Sequence, residues 1–328
     1  MICNVCDCPF LPCFRHLLAA RPSTQIEFLS NLPFMSWMRI QHATTYRYRC
    51  EVAFTPHRLV LRPREGHDIR VEEMRLEIHP RHAAEWSRDV FGNSVATVHF
   101  LAPANELRIA SQVILRQTPP FPLPALRPSA PPPYPVEYAA EEEIVAAAYR
   151  TAVFPDDLPA VLNWLKDAVD LSSCPDAESV VASVNQQLKK TIGYTRREDK
   201  GVQTPGETLR KGTGSCRDVA TLFLETLRVL GFPARFASGY LDCLASEVGR
   251  ASMHAWTEAY LPHIGWVGYD QSLGEKTSDR HVVVGVSNHP RGVMPVTGAF
   301  YGTQDQFVEM AVSVFTERLE VSPLGNQS

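Results

Sequence analysis

From Met38 to about Arg116 the chain alternates apolar and polar residues with a period of two. "RIQHATTYRYRC" and "IRVEEMRLEIHP" both read as strands. In the second, Val71, Met74, Leu76 and Ile78 come to one face after a slip at Glu72–Glu73. "DVFGNSVATVHF" predicts a hairpin turning at Gly92–Asn93, and "LRIASQVILR" closes the set. Residues 38–116 therefore predict an antiparallel β-sandwich of about six or seven strands.

Nine of the 26 prolines then fall between Pro119 and Pro135, where neither a helix nor a central strand can form. The segment 117–136 predicts a semi-rigid linker. Beyond it the period changes. "EYAAEEEIVAAAYR", "LPAVLNWLKDAV" and "DAESVVASVNQQLKKTI" predict three helices, and residues 200–212 predict a loop. Cys216, Val219, Ala220, Phe223, Leu224, Leu227 and Leu230 mark one face of a further helix, which Gly231 and Pro233 end. "ARFASGYL", "HAWTEAYL", "GWVGYD", "RHVVVGVS" and "QFVEMAVSVFTERL" predict the strands of a second sheet. The fold class is α+β: a sandwich at 38–116, then helices packed on an antiparallel sheet at 137–312. A leader at 1–37 and a tail at 313–328 flank them.

Composition narrows the function. The 328 residues are 45% apolar with net charge −4, and basic residues come in nothing longer than pairs such as Lys189–Lys190. This argues against a nucleic-acid partner. No apolar run approaches the roughly 18 residues that span a bilayer, so no membrane partner is expected. The leader makes a poor export signal, broken by Pro9 and Pro12, and Met35 or Met38 would serve as starts. A cytoplasmic protein is the resulting expectation. Cys3, Cys6, Cys8 and Cys13 crowd the leader without a matching second pair of ligands, so no metal is expected there. Cys50, Cys174, Cys216 and Cys243 are scattered, which argues against a disulfide framework.

Cys216 is the candidate for chemistry. Ser215 is a good N-cap and Asp218 can complete the cap, so the thiol stands in a helix's first turn. There the helix dipole favours a thiolate, and free N–H groups can hold an oxyanion. Taken alone the helix leaves two readings open, this one and a small buried hydrophobe. His254 and Asp270 supply a base and its support. His254, Trp256, Glu258 and Tyr260 share a strand face. If Tyr260 pairs with Trp266 across an odd-length loop, Asp270 comes diagonal to His254. Glu258 could also orient a histidine, but Asp270 ends its strand and is preferred. His281 could lie near the site, although nothing in the pattern requires it. His263 and His289 are expected in solvent. Arg217 and Asp218 read as helix-start and salt-bridge residues, and Arg235 and Tyr240 as structural.

"TPGETLRKGTGSCRDVATLFLETLRVLGFPARFASGYL" followed by "HAWTEAYLPHIGWVGYD" resembles the transglutaminase-like core of papain-like cysteine enzymes. "MRIQHATTYRY", "LRPR" and "DVFGN" resemble the β-sandwich domain that precedes this core in bacterial members. The resemblance implies Cys216 as nucleophile, His254 as general base and Asp270 as orienting acid. Tyr194 and Trp256 are weaker candidates for oxyanion or substrate contact. The resemblance implies a protein or peptide substrate, attacked at a carboxamide or amide through a thioester. Hydrolysis is placed ahead of amine transfer, and no cofactor or metal is expected. Asp270-Gln271-Ser272 departs from the family's usual Asp-Pro-Thr, and "SNHPRGVMPV" replaces a commoner glycine-arginine-aspartate stretch. The alternative is an inactive scaffold of the same fold that binds proteins.

Overall fold

The alternating run after Ser36 folds as one 19-residue strand, β1 (Ser36–Phe54), whose even-numbered positions Met38, Ile40, His42 and Thr44 are buried. The computed structural model describes residues 36–118, 131–197, 199–242 and 253–320. Most of the expected leader and linker lies outside these residues, as do Cys3, Cys6, Cys8, Cys13 and Cys243. β1 begins inside the expected leader, at Ser36.

Five more strands follow: β2 (His57–Leu59), β3 (Ile69–His79), β4 (His82–Arg88), β5 (Ser94–Phe100) and β6 (Ala104–Gln117). The expected slip in β3 is a register shift between Val71 and Glu73. Next come helices α1 (Ala140–Arg150), α2 (Leu158–Ala168) and α3 (Ala177–Thr191), then β7 (Gly193–Tyr194), α4 (Pro205–Lys211), β8 (Thr213–Gly214) and α5 (Cys216–Val229). The chain finishes with β9 (Ala234–Leu241), β10 (Met253–Leu261), β11 (Gly265–Asp270), β12 (Glu275–Lys276), β13 (His281–Ser287), β14 (Val296–Thr297), β15 (Phe300–Tyr301) and β16 (Phe307–Leu319). Among the described residues no helix is long and apolar enough to cross a membrane.

Two expectations fail here. Residues 205–211 are not loop but the helix α4. Thr204 caps it, accepting from the Glu207 N–H at 3.3 Å while Glu207 accepts from the Thr204 N–H at 3.0 Å. Pro205 stands at its first position, where the missing N–H costs nothing. The second failure concerns the C-terminal strands. β16 pairs along β1 from Trp37–Leu319 to Tyr48–Phe307, and β14 and β15 pair with β2 and β1. The core boundary at 312 and the tail at 313 therefore fall inside a strand of the first sheet. Alternation marks a strand but carries no information on its partner, and the uncovered edge of β1 is the longest available.

The sandwich thus consists of one sheet ordered β16-β1-β6-β3, with β15 at the far end of β1, facing a second ordered β14-β2-β5-β4. Tyr48, Phe54, Leu59, Val98, Leu107 and Ile109 fill the space between them. The other sheet, β12-β11-β10-β9-β13, is covered on both faces. On one face Phe236, Ala255, Ala259 and Tyr269 pack with Phe223, Leu224 and Leu227 of α5 and with α3. Elsewhere Tyr240, Val282 and Val284 share a core with Met38, Ile40 and Val113 of the sandwich. The Tyr240 hydroxyl meets His42 Nδ1 at 3.1 Å, which bears out a structural role for this tyrosine.

Buried all round, α5 must satisfy its own polar groups. Glu225 and Arg228 pair at 2.9 Å with almost no exposure. Glu225 also accepts from the Val153 and Phe154 N–H groups, and Arg228 donates to the Tyr149, Ala234 and Asn288 carbonyls. The pair is met by five backbone groups, so α5 is held in one place by directional bonds as well as packing.

The "LRPR" and "DVFGN" stretches close the free edge of β13. Asn93 Oδ1 accepts from the Val286 N–H at 2.9 Å, and its Nδ2 donates to the Val286 carbonyl at 2.8 Å. The Arg64 N–H donates to the Val283 carbonyl at 2.8 Å, and its guanidinium donates to Asn93 at 2.8 Å. Asp89 shapes the turn by accepting from the Phe91 and Asn93 N–H groups, and Gly92 supplies the left-handed φ of 75°. Asn93→Ala strips two backbone groups of their partners. It is expected to cost about 3 kcal/mol in unfolding free energy, measured by urea denaturation against the native chain.

Candidate active site

Cys216 opens α5, and the turn before it is fixed by a buried acid. Asp218 accepts from the Ser215 N–H at 2.9 Å and its hydroxyl at 2.7 Å, and from the Gln203 N–H at 2.8 Å. Arg197 Nε lies 3.0 Å from the same carboxylate. Arg217 departs from the expected salt bridge. Its guanidinium donates to the Gly201 and Asp199 carbonyls, each at 2.7 Å, because the planar fork suits a loop of carbonyls as well as a carboxylate. The thiol is half-buried and packs against the helical core.

The β10–β11 hairpin has the anticipated register. Tyr260 lies opposite Trp266 and Thr257 opposite Tyr269, and the connection is Pro262-His263-Ile264, an odd length. His263 takes a left-handed φ of 63° and is exposed. Continued by one step, the register sets Asp270 diagonal to His254, and His254 Nε2 lies 2.7 Å from Asp270 Oδ2. That bond leaves the imidazole's Nδ1 turned away from Asp270, and Cys216 is near enough to the ring to bias its charge.

Asp270 is fully buried, and both its oxygens are met. Oδ1 accepts from the Ser272 N–H at 2.8 Å and the Leu273 N–H at 3.3 Å. Oδ2 takes His254 and also His281 Nε2, at 3.1 Å. The pattern of residues gave His281 no required place; strand pairing of β13 with β9 brings it here. Gln271, at the departure from the family's usual proline, is buried and donates to the Tyr269 carbonyl and to Asn185. The backbone donors to Asp270 are unaffected by it.

The weaker candidates fare differently. Tyr194 lies on β7, paired with Gly214 of β8 two residues before the thiol, and is 46% exposed. Trp256 is fully buried, so the expected substrate contact is corrected. Its ring packs with Ala237, Val286 and Phe91 and stands edge-on to His281 at 5.2 Å. A Cβ on Gly239 would meet the Val282 carbonyl first and then this ring at 2.8 Å, so the glycine admits both the β13 backbone and the indole. Glu258 is held by Arg235, Nη2 to Oε2 at 2.6 Å, and is not available to a histidine. Arg235 itself lies 4.0 Å over the Trp266 ring, a packing role as anticipated. His289 is half-buried, stacked on Phe154 at 5.8 Å, rather than in open solvent.

The charges reinforce one another. Burial opposes a charged His254, but the facing Cys216 and the Asp270 carboxylate outweigh it, raising the imidazole from 6.5 to about 10. Burial would likewise raise Asp270, but the His254 charge and the bonds from both histidines hold it well below the usual carboxylate range. Such a group can pass a proton between sulfur and a substrate atom while the carboxylate remains ionised. Among the described residues no group of three or more histidine, cysteine and acidic side chains is arranged to hold a metal ion.

Residues 38–116 match the bacterial transglutaminase-like N-terminal region, and residues 166–271 match the transglutaminase-like superfamily. An uncharacterised protein of Mycobacterium tuberculosis is 27% identical over 289 residues, covering 84% of this chain and 91% of its own. One from Mycobacterium leprae is 24% identical over 298 residues, covering 84% and 98%. The crystal structure of a candidate cysteine protease from Cytophaga hutchinsonii superposes with a TM-score of 0.65 over 88% of this chain and 93% of that one. At 13% identity this likeness concerns the fold alone.

The two shifts have opposite signs in stability. His254's share is full below 6.5 and lost as pH rises through about 10. Asp270's share is present above 3.8 and lost as pH falls below it. In urea unfolding at stepped pH, the stability gap between the native chain and His254→Gln is expected to narrow as pH approaches and passes about 10. A gap that widened there would contradict the assignment.

Proposed function

The chain belongs to the transglutaminase-like superfamily, and from that premise we propose that it is a thiol enzyme acting on carboxamide or amide bonds of protein or peptide substrates. One observation carries the reading. A thiol at a helix start faces an imidazole whose far nitrogen is held at 2.7 Å by a buried carboxylate. A nucleophile, a base and an orienting group in that order are what acyl transfer needs.

In the proposed reaction His254 Nδ1 takes the Cys216 proton and the sulfur attacks the carbonyl carbon. The π pair moves to oxygen. In the first turn of α5 the Cys216 N–H has no intrahelical acceptor and is free to donate to that oxyanion. Tyr194, beside Gly214, is the candidate for a second donor. Collapse expels ammonia or an amine, which receives the proton from His254, and leaves a thioester on sulfur. Water then adds, with His254 as base, and releases the acid and the thiol. We place hydrolysis ahead of transfer to a lysine amine. Water needs no acceptor site, whereas transfer requires one that keeps water out.

Reactivity separates an activated thiol from a packed one. Cys50 is exposed while Cys216 and Cys174 are half-buried, so access alone favours Cys50. With iodoacetamide at pH ~6, Cys216 is expected to react about tenfold faster than Cys50, as mapped by mass spectrometry. Equal or slower reaction would count against the reading. With a glutamine-containing protein and a fluorescent amine, ammonia or peptide release without label is expected, and Cys216→Ala should abolish it. Label incorporation would instead establish transfer.

A further inference from the structure

We infer that His281 is a positioning residue of this site: a neutral imidazole that holds Asp270 Oδ2 and shares its charge, so that the carboxylate orients His254 without gripping its proton too firmly. The inference rests on the reading of Cys216, His254 and Asp270 just given.

The tautomer follows from the bonds. His281 Nδ1 accepts from the Ser278 N–H at 3.1 Å, so it carries no hydrogen. Nε2 must then carry it and donates to Asp270 Oδ2 at 3.1 Å. A hydrogen on Nδ1 would set two N–H groups against each other, so the bonds fix the buried ring with its hydrogen on Nε2. Trp256 closes one side of it, and the backbone of β13 is held by Asn93 and Arg64. The charged groups of the adjoining segments are engaged nearby. Asp242 and Asp279 pair with Arg318, and Arg280 donates to the Asp242 carbonyl. Of the titratable groups on the neighbouring strands, Asp270 bonds the ring and His254 lies 6.4 Å from it, while Tyr240 of β9 is engaged with His42.

Two imidazoles therefore compete for one oxygen. A second donor on Oδ2 drains charge that would otherwise strengthen the bond to His254. This matters in the second half of the reaction, when His254 must return its proton to the leaving amine. An imidazolium held too tightly is a poor acid. With a neutral donor the carboxylate is tempered without being neutralised.

His281→Leu removes the donor, and His281→Gln keeps an amide N–H near the place of Nε2. Followed by NMR of the His254 ring, His281→Leu is expected to raise the pH of proton loss by about half a unit or more. Ammonia release from a glutamine-containing protein should fall about tenfold, and His281→Gln should restore both. If the leucine variant fails to fold, His281→Asn, whose amide stops short of Asp270, takes its place and should show the same shift. An unchanged or lowered His254 titration, or a glutamine variant as impaired as the leucine one, overturns the inference. Asp270→Asn separates the two levels of reading. If it lowers the His254 titration while His281→Leu does not raise it, only the role of His281 fails. If Asp270→Asn leaves His254 unmoved, the underlying reading of the site fails with it.

Discussion

A carboxylate with no exposure to water must find donors for both oxygens, and much of this protein is arranged so that Asp270 does. One oxygen is met by the backbone of the turn that follows it, the other by imidazoles from two different strands. Left with fewer donors, the buried anion would take up a proton or destabilise the fold. Met as it is, it remains charged and gives His254 one orientation. In the proposed reaction the ring's remaining nitrogen serves Cys216. The chemistry proposed at sulfur therefore depends on a charge buried away from solvent.

The sandwich takes part in that arrangement. β13 carries His281, and β13 is an edge strand whose outward backbone groups are closed by Asn93 and Arg64. Phe91, in the same turn as Asn93, packs against Trp256, which in turn flanks His281. A contact between the two sheets is thus also a contact one residue removed from the site. The return of β16 along β1 ties residues 307–319 into the same body. Sandwich and core are in this sense one structural unit around the histidines.

Local chemistry made part of this legible in the residues. The start of α5 was readable because Ser215 and Asp218 are cap residues at cap spacing. The diagonal of His254 and Asp270 was readable because strand alternation and an odd loop fix faces without any knowledge of the rest. What escaped depends on partners distant in sequence. β16 looked like any strand, and only the open edge of β1 decides where it goes. His281 enters through the pairing of β13 with β9, which periodicity does not encode. Trp256 lies on the face of His254, but its burial follows from Phe91, Ala237 and Val286, which pack against it. The helix α4 did carry a signal in Thr204-Pro205-Gly206-Glu207, a capping box with proline at the first position, obscured by the glycine within it.

In the proposed reaction the Cys216 sulfur forms a covalent acyl intermediate. The most direct measurement is acid quenching during turnover of a glutamine-containing peptide, followed by mass mapping of the protein. An acyl adduct on Cys216 that hydroxylamine removes is expected. Ammonia released from the peptide with no adduct on Cys216, or released undiminished by Cys216→Ala, would contradict it.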